Sequence, residues 1–232
     1  MEKRIEKSFD AIIVGSGQGG TPLAKEFARR GFRTALIERE HVGGTCVNVG
    51  CTPTKTFLAS ARAAHLVRRS GDYGIETGPV RVEMETVRRR KRDIVASFNG
   101  GAVSGLEETE NLELIYGEAT FTAARDLQIS LKSGGERLLQ GEKIFIDTGG
   151  RPAIPPIPGL ETVPYLDSTS IMELDQVPRH LAVLGAGYIG IEFAQGLRRF
   201  GAEVTIIDRG ERILKREDPD VTDELEKILT ED

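Results

Sequence analysis

Hydrophobic positions in this chain fall into two copies of one pattern. Asp10 to Arg39 reads as an apolar strand, a Gly-x-Gly-x-x-Gly turn, an amphipathic helix with an Arg-rich end, a glycine, a second strand and an acid. His180 to Arg209 reads the same way, and the copies align without gaps at an offset of 170 residues, 180 minus 10. The glycines are Gly15, Gly17 and Gly20 in the first copy, where Glu38 closes the second strand. They are Gly185, Gly187 and Gly190 in the second copy, closed by Asp208. Each acid falls 23 residues after its first glycine, close to the spacing of a dinucleotide-binding unit. One such turn alone carries little information. Two copies, each with strand, helix and acid in place, predict two dinucleotide-binding folds.

Between the copies the period changes twice. Pro53 to Arg69 and Val82 to about Glu108 carry helical patterning, the second interrupted near Asn99-Gly100-Gly101. Leu112 to Tyr116, Ala119 to Phe121 and Leu127 to Leu131 then alternate like short antiparallel strands. Their turns fall at Ala124-Arg125-Asp126 and Ser133-Gly134-Gly135. Ile144 to Asp147 reads as a buried strand running into Thr148-Gly149-Gly150-Arg151-Pro152. Pro152, Pro155, Pro156 and Pro158 make a stiff extended connector. The predicted fold is α/β, with tandem Rossmann-like dinucleotide-binding domains and an antiparallel β-meander inserted at about 111–147. The first domain is expected over residues 1–150, and residues 151–232 form the N-terminal half of the second. Asp218-Pro219-Asp220 starts a helix, and at Asp232 the second unit is only half built.

Composition narrows the function classes. The 232 residues suffice for one large or two small domains, and the 27 glycines suit several turns that approach ligands closely. A net charge of -5 argues against nonspecific nucleic-acid binding. Arg88-Arg89-Arg90-Lys91-Arg92 is expected to be a solvated helix face, with Glu83 and Glu85 supplying i,i+4 pairs. The first residues contain no apolar signal segment, and no run of 18 apolar residues follows, so a cytoplasmic, membrane-free location is expected. In a reducing cytosol two close cysteines serve catalysis or metal binding more often than structure. Two cysteines and three scattered histidines, His41, His65 and His180, make a poor zinc set, so no metal is expected. Redox chemistry is the expectation that remains.

The two cysteines lie in Gly43-Gly44-Thr45-Cys46-Val47-Asn48-Val49-Gly50-Cys51-Thr52-Pro53-Thr54-Lys55, about thirty residues after the first Gly-rich turn. On a regular helix, Cα atoms five residues apart lie roughly 8.7 Å from each other. A disulfide tolerates no more than about 7 Å. A bridged pair therefore requires a distorted backbone, for which Gly50 and Pro53 are candidates. The run resembles the active-site signature of the class I pyridine nucleotide–disulfide oxidoreductases, and its details lean toward mercuric reductase-like members. Thr148-Gly149 likewise resembles that family's Ala-Thr-Gly motif.

The resemblance implies a redox-active Cys46–Cys51 disulfide, with Cys51 facing a flavin and Cys46 meeting substrate. It implies FAD on the N-terminal loop, contacted by Gly15, Gly17, Gly20 and Glu38 and by Thr45, Ala119, Thr148 and Gly149. NAD(P)H would occupy the second loop, contacted by Gly185, Gly187, Gly190 and Asp208. An acid at Asp208 favours a ribose 2′-hydroxyl and hence NADH, although Arg209 and Arg212 soften that preference. By the same resemblance Lys55 pairs with Glu192 near the flavin, the alternative for each being an exposed helix charge. Tyr188 covers the flavin face, or else packs in the core. The implied acceptor is a disulfide, a lipoyl group or thiol-bound Hg(II), in a small molecule or a protein. The resemblance also implies that the chain is an N-terminal fragment of a homodimeric enzyme, inactive by itself. A catalytically incomplete fragment that holds no cofactor is a second expectation. A flavin oxidase or monooxygenase is a third, against which the full cysteine run argues.

Overall fold

A computed structural model describes residues 5–231. In chain order the elements are β1 (Lys7–Val14), α1 (Gly20–Arg29), β2 (Thr34–Glu38), α2 (Gly44–Asn48), α3 (Cys51–Arg68) and α4 (Met84–Glu107). They continue with β3 (Leu112–Ala123), β4 (Asp126–Leu131), β5 (Glu136–Ile146), β6 (His180–Leu184), α5 (Tyr188–Phe200), β7 (Glu203–Ile207) and α6 (Pro219–Glu231). Two compact units interleave along the chain. One contains the residues up to Thr52 together with Asp93–Pro158, the other Pro53–Arg92 together with the residues from Gly159 onward.

In the first unit β1 pairs in parallel with both β2 and β5, and β2 pairs in parallel with β3. β4 joins β3 and β5 antiparallel, so the pairings close into a five-stranded barrel. Two cores form because side chains alternate along a strand. Ile12 of β1 and Ala35 and Ile37 of β2 enter one core with Leu127, Ile129 and Leu139. Ala11, Ile13 and Leu36 face the other, with Ala24, Val42 and Leu106.

The meander is built differently from its predicted short strands. Leu112 to Ala123 is one strand, irregular between Phe121 and Ala123, and not two strands separated at Gly117. A Cβ at Gly117 would stand 2.6 Å from the Ser130 carbonyl oxygen, so glycine here lets β4 approach without ending β3. β5 starts at Glu136, well before the predicted Ile144, because its first residues pair with β4. α4 also runs unbroken through Asn99-Gly100-Gly101. Each helical glycine costs about 1 kcal/mol. Burial of Leu106 and hydrogen bonds from Asn99 Nδ2 to the Val42 carbonyl (2.6 Å) and to Asn48 Oδ1 (3.0 Å) offset that cost.

In the second unit β6 and β7 form a parallel pair. The core gathers Phe57 of α3, Met172, and Phe193, Leu197 and Phe200 of α5. Phe57 meets Phe200 edge-on at 5.1 Å between centroids. The basic run corrects a second expectation in part. Lys91 is only 4% exposed; its Nζ donates to the Met172 carbonyl at 3.0 Å and pairs with Glu173. Arg92 also pairs with Glu173, Arg88 with Asp175, and Arg90 donates to the Thr56 carbonyl. A buried ammonium needs a paired, hydrogen-bonded partner, which residues 172–175 provide. Lys91 thus forms an internal clamp, with Arg88 half-buried beside it, whereas Arg89, Arg90 and Arg92 keep the exposed face that the sequence predicts. Among the described residues no helix is long and apolar enough to cross a membrane.

Candidate functional site

The repeat seen in the sequence extends to individual atoms. Gly15 has φ +105° and Gly185 has φ +107°, a conformation that L side chains rarely adopt. A Cβ on Gly20 would lie 2.0 Å from the Gly15 carbonyl oxygen, and one on Gly190 would lie 2.3 Å from that of Gly185. In both copies the third glycine therefore lets the helix close onto the turn. The acids repeat as well. Glu38 Oε2 accepts from the Ser16 N–H (3.1 Å) and from the Ser16 hydroxyl, and Oε1 accepts from the Glu40 N–H (2.8 Å). Asp208 Oδ2 accepts from the Ala186 N–H (2.8 Å), and Oδ1 from the Gly210 N–H (2.7 Å). Ser16 and Ala186, Glu38 and Asp208, and Glu40 and Gly210 are each separated by the same offset. Each carboxylate ties the end of its strand to its glycine turn and keeps lone pairs for a ribose hydroxyl. The Ala186 and Gly210 N–H groups hold the Asp208 carboxyl below the usual carboxylate range, with Lys215 and Arg209 adding to the effect.

The residues of the first turn suit a pyrophosphate. The Gly20 N–H, at the N-terminus of α1, already donates to an anion, the Asp147 carboxylate, at 2.5 Å. A Cβ on Gly17 would meet only that carboxylate, at 3.5 Å, so the backbone at Gly17 is open to a ligand. Thr148 and the exposed Gly149 follow Asp147 directly, and Ala119 lies on β3 opposite Ile129.

The cysteine segment seats on this turn. The Gly43 N–H donates to the Ser16 carbonyl at 3.0 Å, and a Cβ on Gly44 would stand 2.7 Å from Gly17 Cα. Thr45 and Cys46 lie on α2, while Cys51 opens α3. Between them Val49 and Gly50 leave the helix, and a Cβ on Gly50 would fall 2.8 Å from the Thr45 carbonyl oxygen. Asn48 Nδ2 fixes the turn by donating to the Val42 and Gly44 carbonyls, each at 2.9 Å. Both cysteines are thiols, Cys46 half-buried and Cys51 exposed. A hydrogen bond with Cys51, reinforced by burial, pushes the Cys46 thiol above the ordinary thiol range. Because the thiolate is the nucleophile, a raised pKa leaves less thiolate at a given pH. In the reduced protein Cys46 should therefore be alkylated slowly near pH 8, and Cys51→Ala should accelerate it by several-fold. Mass-spectrometric alkylation rates between pH 7 and 10 test this. An unchanged Cys46 profile in the variant would remove the coupling.

The second unit brings Lys55 and Glu192 together as an ion pair on a partly exposed surface. Tyr188 is 60% exposed and its hydroxyl donates to Glu217, so the core-packing alternative does not describe it. Its ring lines a cleft of about 200 Å³ with Gly187, Asp208, Arg212 and Lys215. Arg212 is held by Asp223 and the Pro219 carbonyl, whereas Lys215 acts on Asp208. Arg209 and Arg212 are legible in the sequence, whereas Lys215, Glu217 and Asp147 emerge only from the structure. The spacing Arg209, Arg212, Lys215, Arg216 is the signal that would have shown a longer basic loop. Among the described residues no group of three or more His, Cys, Asp or Glu side chains could hold a metal ion.

Comparison with known proteins matches residues 9–232 to the family described as pyridine nucleotide-disulphide oxidoreductase. Mercuric reductase of Lysinibacillus sphaericus is 36% identical over 226 residues, covering 97% of this chain and 40% of that protein. The probable pyridine nucleotide-disulfide oxidoreductase RclA of Escherichia coli (strain K12) is 38% identical over 224 residues, covering 95% of this chain and 47% of that protein. The solved structure of the HOCl-induced flavoprotein disulfide reductase RclA from Escherichia coli superposes with a TM-score of 0.80 at 36% identity. That match spans 96% of this chain and 47% of the other. The chain thus spans somewhat less than half the length of these relatives.

Proposed function

This chain belongs to the pyridine nucleotide–disulphide oxidoreductase family, and on that premise we propose that it carries the flavin and nicotinamide loops of an NAD(P)H-dependent flavoprotein disulfide reductase. One observation carries the reading. Two glycine turns whose acids accept from equivalent backbone N–H groups recur at a fixed offset, and a paired-cysteine segment is seated on the first. FAD, when bound, supplies a two-electron carrier between NAD(P)H and the cysteine pair.

The chain's own residues bind, orient and exchange thiols. The N–H groups from Gly17 to Gly20 hold the pyrophosphate and Glu38 a ribose, helped by Thr45, Ala119, Thr148 and Gly149. The turn at Gly185, Gly187 and Gly190 with Asp208 holds NAD(P)H, and Tyr188 gates its nicotinamide end. Lys55, oriented by Glu192, presents a cation to the reduced cofactor. The electron pair enters the Cys46–Cys51 bond at Cys51, the bond breaks, and Cys46 leaves as a thiolate. With a disulfide acceptor, Cys46 attacks one sulfur and releases the other half as a thiolate. Cys51 then attacks Cys46, releasing the second half and restoring the Cys46–Cys51 bond. A lipoyl group fits the same sequence, and thiol-bound Hg(II) is the other acceptor class. The reading includes a homodimer at full length, and a low activity of residues 1–232 alone.

The test is a protein extended by the remaining length its relatives carry. It should purify with bound FAD, and NADH should bleach the flavin's visible absorbance in a stopped-flow trace. A folded, extended protein free of flavin would overturn the reading. Asp208 sets a finer expectation. An ionised carboxylate accepts both ribose hydroxyls of NADH but repels the 2′-phosphate of NADPH. The enzyme should therefore prefer NADH modestly, and Asp208→Ser should shift the kcat/KM ratio toward NADPH by about tenfold. A wild-type protein strongly preferring NADPH would mean that Arg209 and Lys215 outweigh the acid.

A further inference from the structure

We propose that the Asp147 carboxylate is a built-in occupant of the pyrophosphate position on the first glycine turn, and so limits how tightly FAD is held. The proposal rests on the FAD reading above. The Asp147 main chain is fixed where β5 ends: its N–H donates to the Val14 carbonyl at 2.8 Å, and its own carbonyl oxygen lies 2.1 Å from where a Gly15 Cβ would stand. The side chain reaches from there across the turn. Its Oδ2 accepts the Gly20 N–H at 2.5 Å, and its Oδ1 lies 3.0 Å from the position of a Gly19 Cβ. The Gly20 N–H is one of the free N–H groups at the helix N-terminus on which a Rossmann fold seats its pyrophosphate.

A carboxylate and a pyrophosphate cannot share one set of N–H donors, because both are anions and the donors are few. Binding FAD must move Asp147 off the Gly20 N–H and leave its charge beside two phosphates. The same contact satisfies an otherwise orphan helix N–H when no phosphate is bound, which stabilises the turn. Asp147 thus trades cofactor affinity for the order of the ligand-free turn.

The test is isothermal titration of the 232-residue chain with FAD, ADP and adenosine, using wild type, Asp147→Asn and Asp147→Ala. Both variants should bind FAD and ADP at least about tenfold more tightly, while adenosine, which has no phosphate, gains nothing. Ligand-free Asp147→Ala should melt below wild type by scanning calorimetry, having lost its helix cap. FAD binding unchanged or weakened in both variants, with wild-type binding intact, would overturn the proposal and leave the flavin reading standing. Folded 232-residue proteins that bind neither FAD nor ADP in any version would overturn the proposal, while the flavin reading is decided by the extended protein.

Discussion

Cys51→Ser, in a protein extended to the length of its relatives, should abolish disulfide reductase turnover and the long-wavelength absorbance expected when NAD(P)H is added. The reason is the division of labour between the thiols. Cys51 opens α3, is exposed, and is the sulfur assigned to the flavin side. On that assignment its thiolate would be the donor of a thiolate-to-flavin charge-transfer band. Cys46 sits on α2, where a hydrogen bond with Cys51 raises its thiol above the ordinary range, and it is the sulfur assigned to the acceptor. Cys46→Ser should therefore lose turnover equally, by at least roughly 10³-fold, because one sulfur cannot complete the exchange. It should nevertheless retain the absorbance band. Anaerobic reduction of both variants in a diode-array spectrophotometer separates them. A band that survives Cys51→Ser and vanishes in Cys46→Ser would reverse the assignment.

The second large effect divides two neighbouring glycines. Gly20→Ala places a methyl group 2.0 Å from the Gly15 carbonyl oxygen and 3.0 Å from Asp147 Oδ2. The first of these is backbone and cannot swing aside, so α1 must move off the β1 turn. Overpacking of this kind costs about 1–3 kcal/mol, and here it falls on the core shared by Ala24, Ile13 and Leu36. The variant should show a lower urea midpoint as well as lost FAD binding. Gly17→Ala differs, because its new methyl meets only the Asp147 carboxylate, at 3.5 Å. That variant should unfold within about 0.5 kcal/mol of wild type. It should still bind FAD at least about tenfold more weakly, since its methyl fills the approach the pyrophosphate needs. Urea titration and calorimetric FAD affinity on the two variants check the pair. Equal destabilisation by both, or unaltered FAD affinity in Gly17→Ala, would mean that the turn serves packing alone.

What could be read along the chain was whatever local stereochemistry dictates. The positive φ at Gly15 and Gly185, the close helix approach at Gly20 and Gly190, and the acid beyond each second strand all follow from short-range spacing. The paired turns, the α/β class and the broken helix between Cys46 and Cys51 were therefore legible without coordinates. Tertiary contacts decided the rest. Gly100 and Gly101 signal a break, yet α4 passes through them because burial of Leu106 and the Asn99 hydrogen bonds exceed the local cost of two glycines. β3 and β5 read as short separate strands, but each is long because one half pairs in parallel and the other half antiparallel with β4. Lys91 looked solvated because its partner, Glu173, lies 82 residues beyond it. Asp147 reached Gly20 across 127 residues by the same route. Sequence spacing fixes what a turn can hold, whereas only the closed barrel determines which distant carboxylate arrives there.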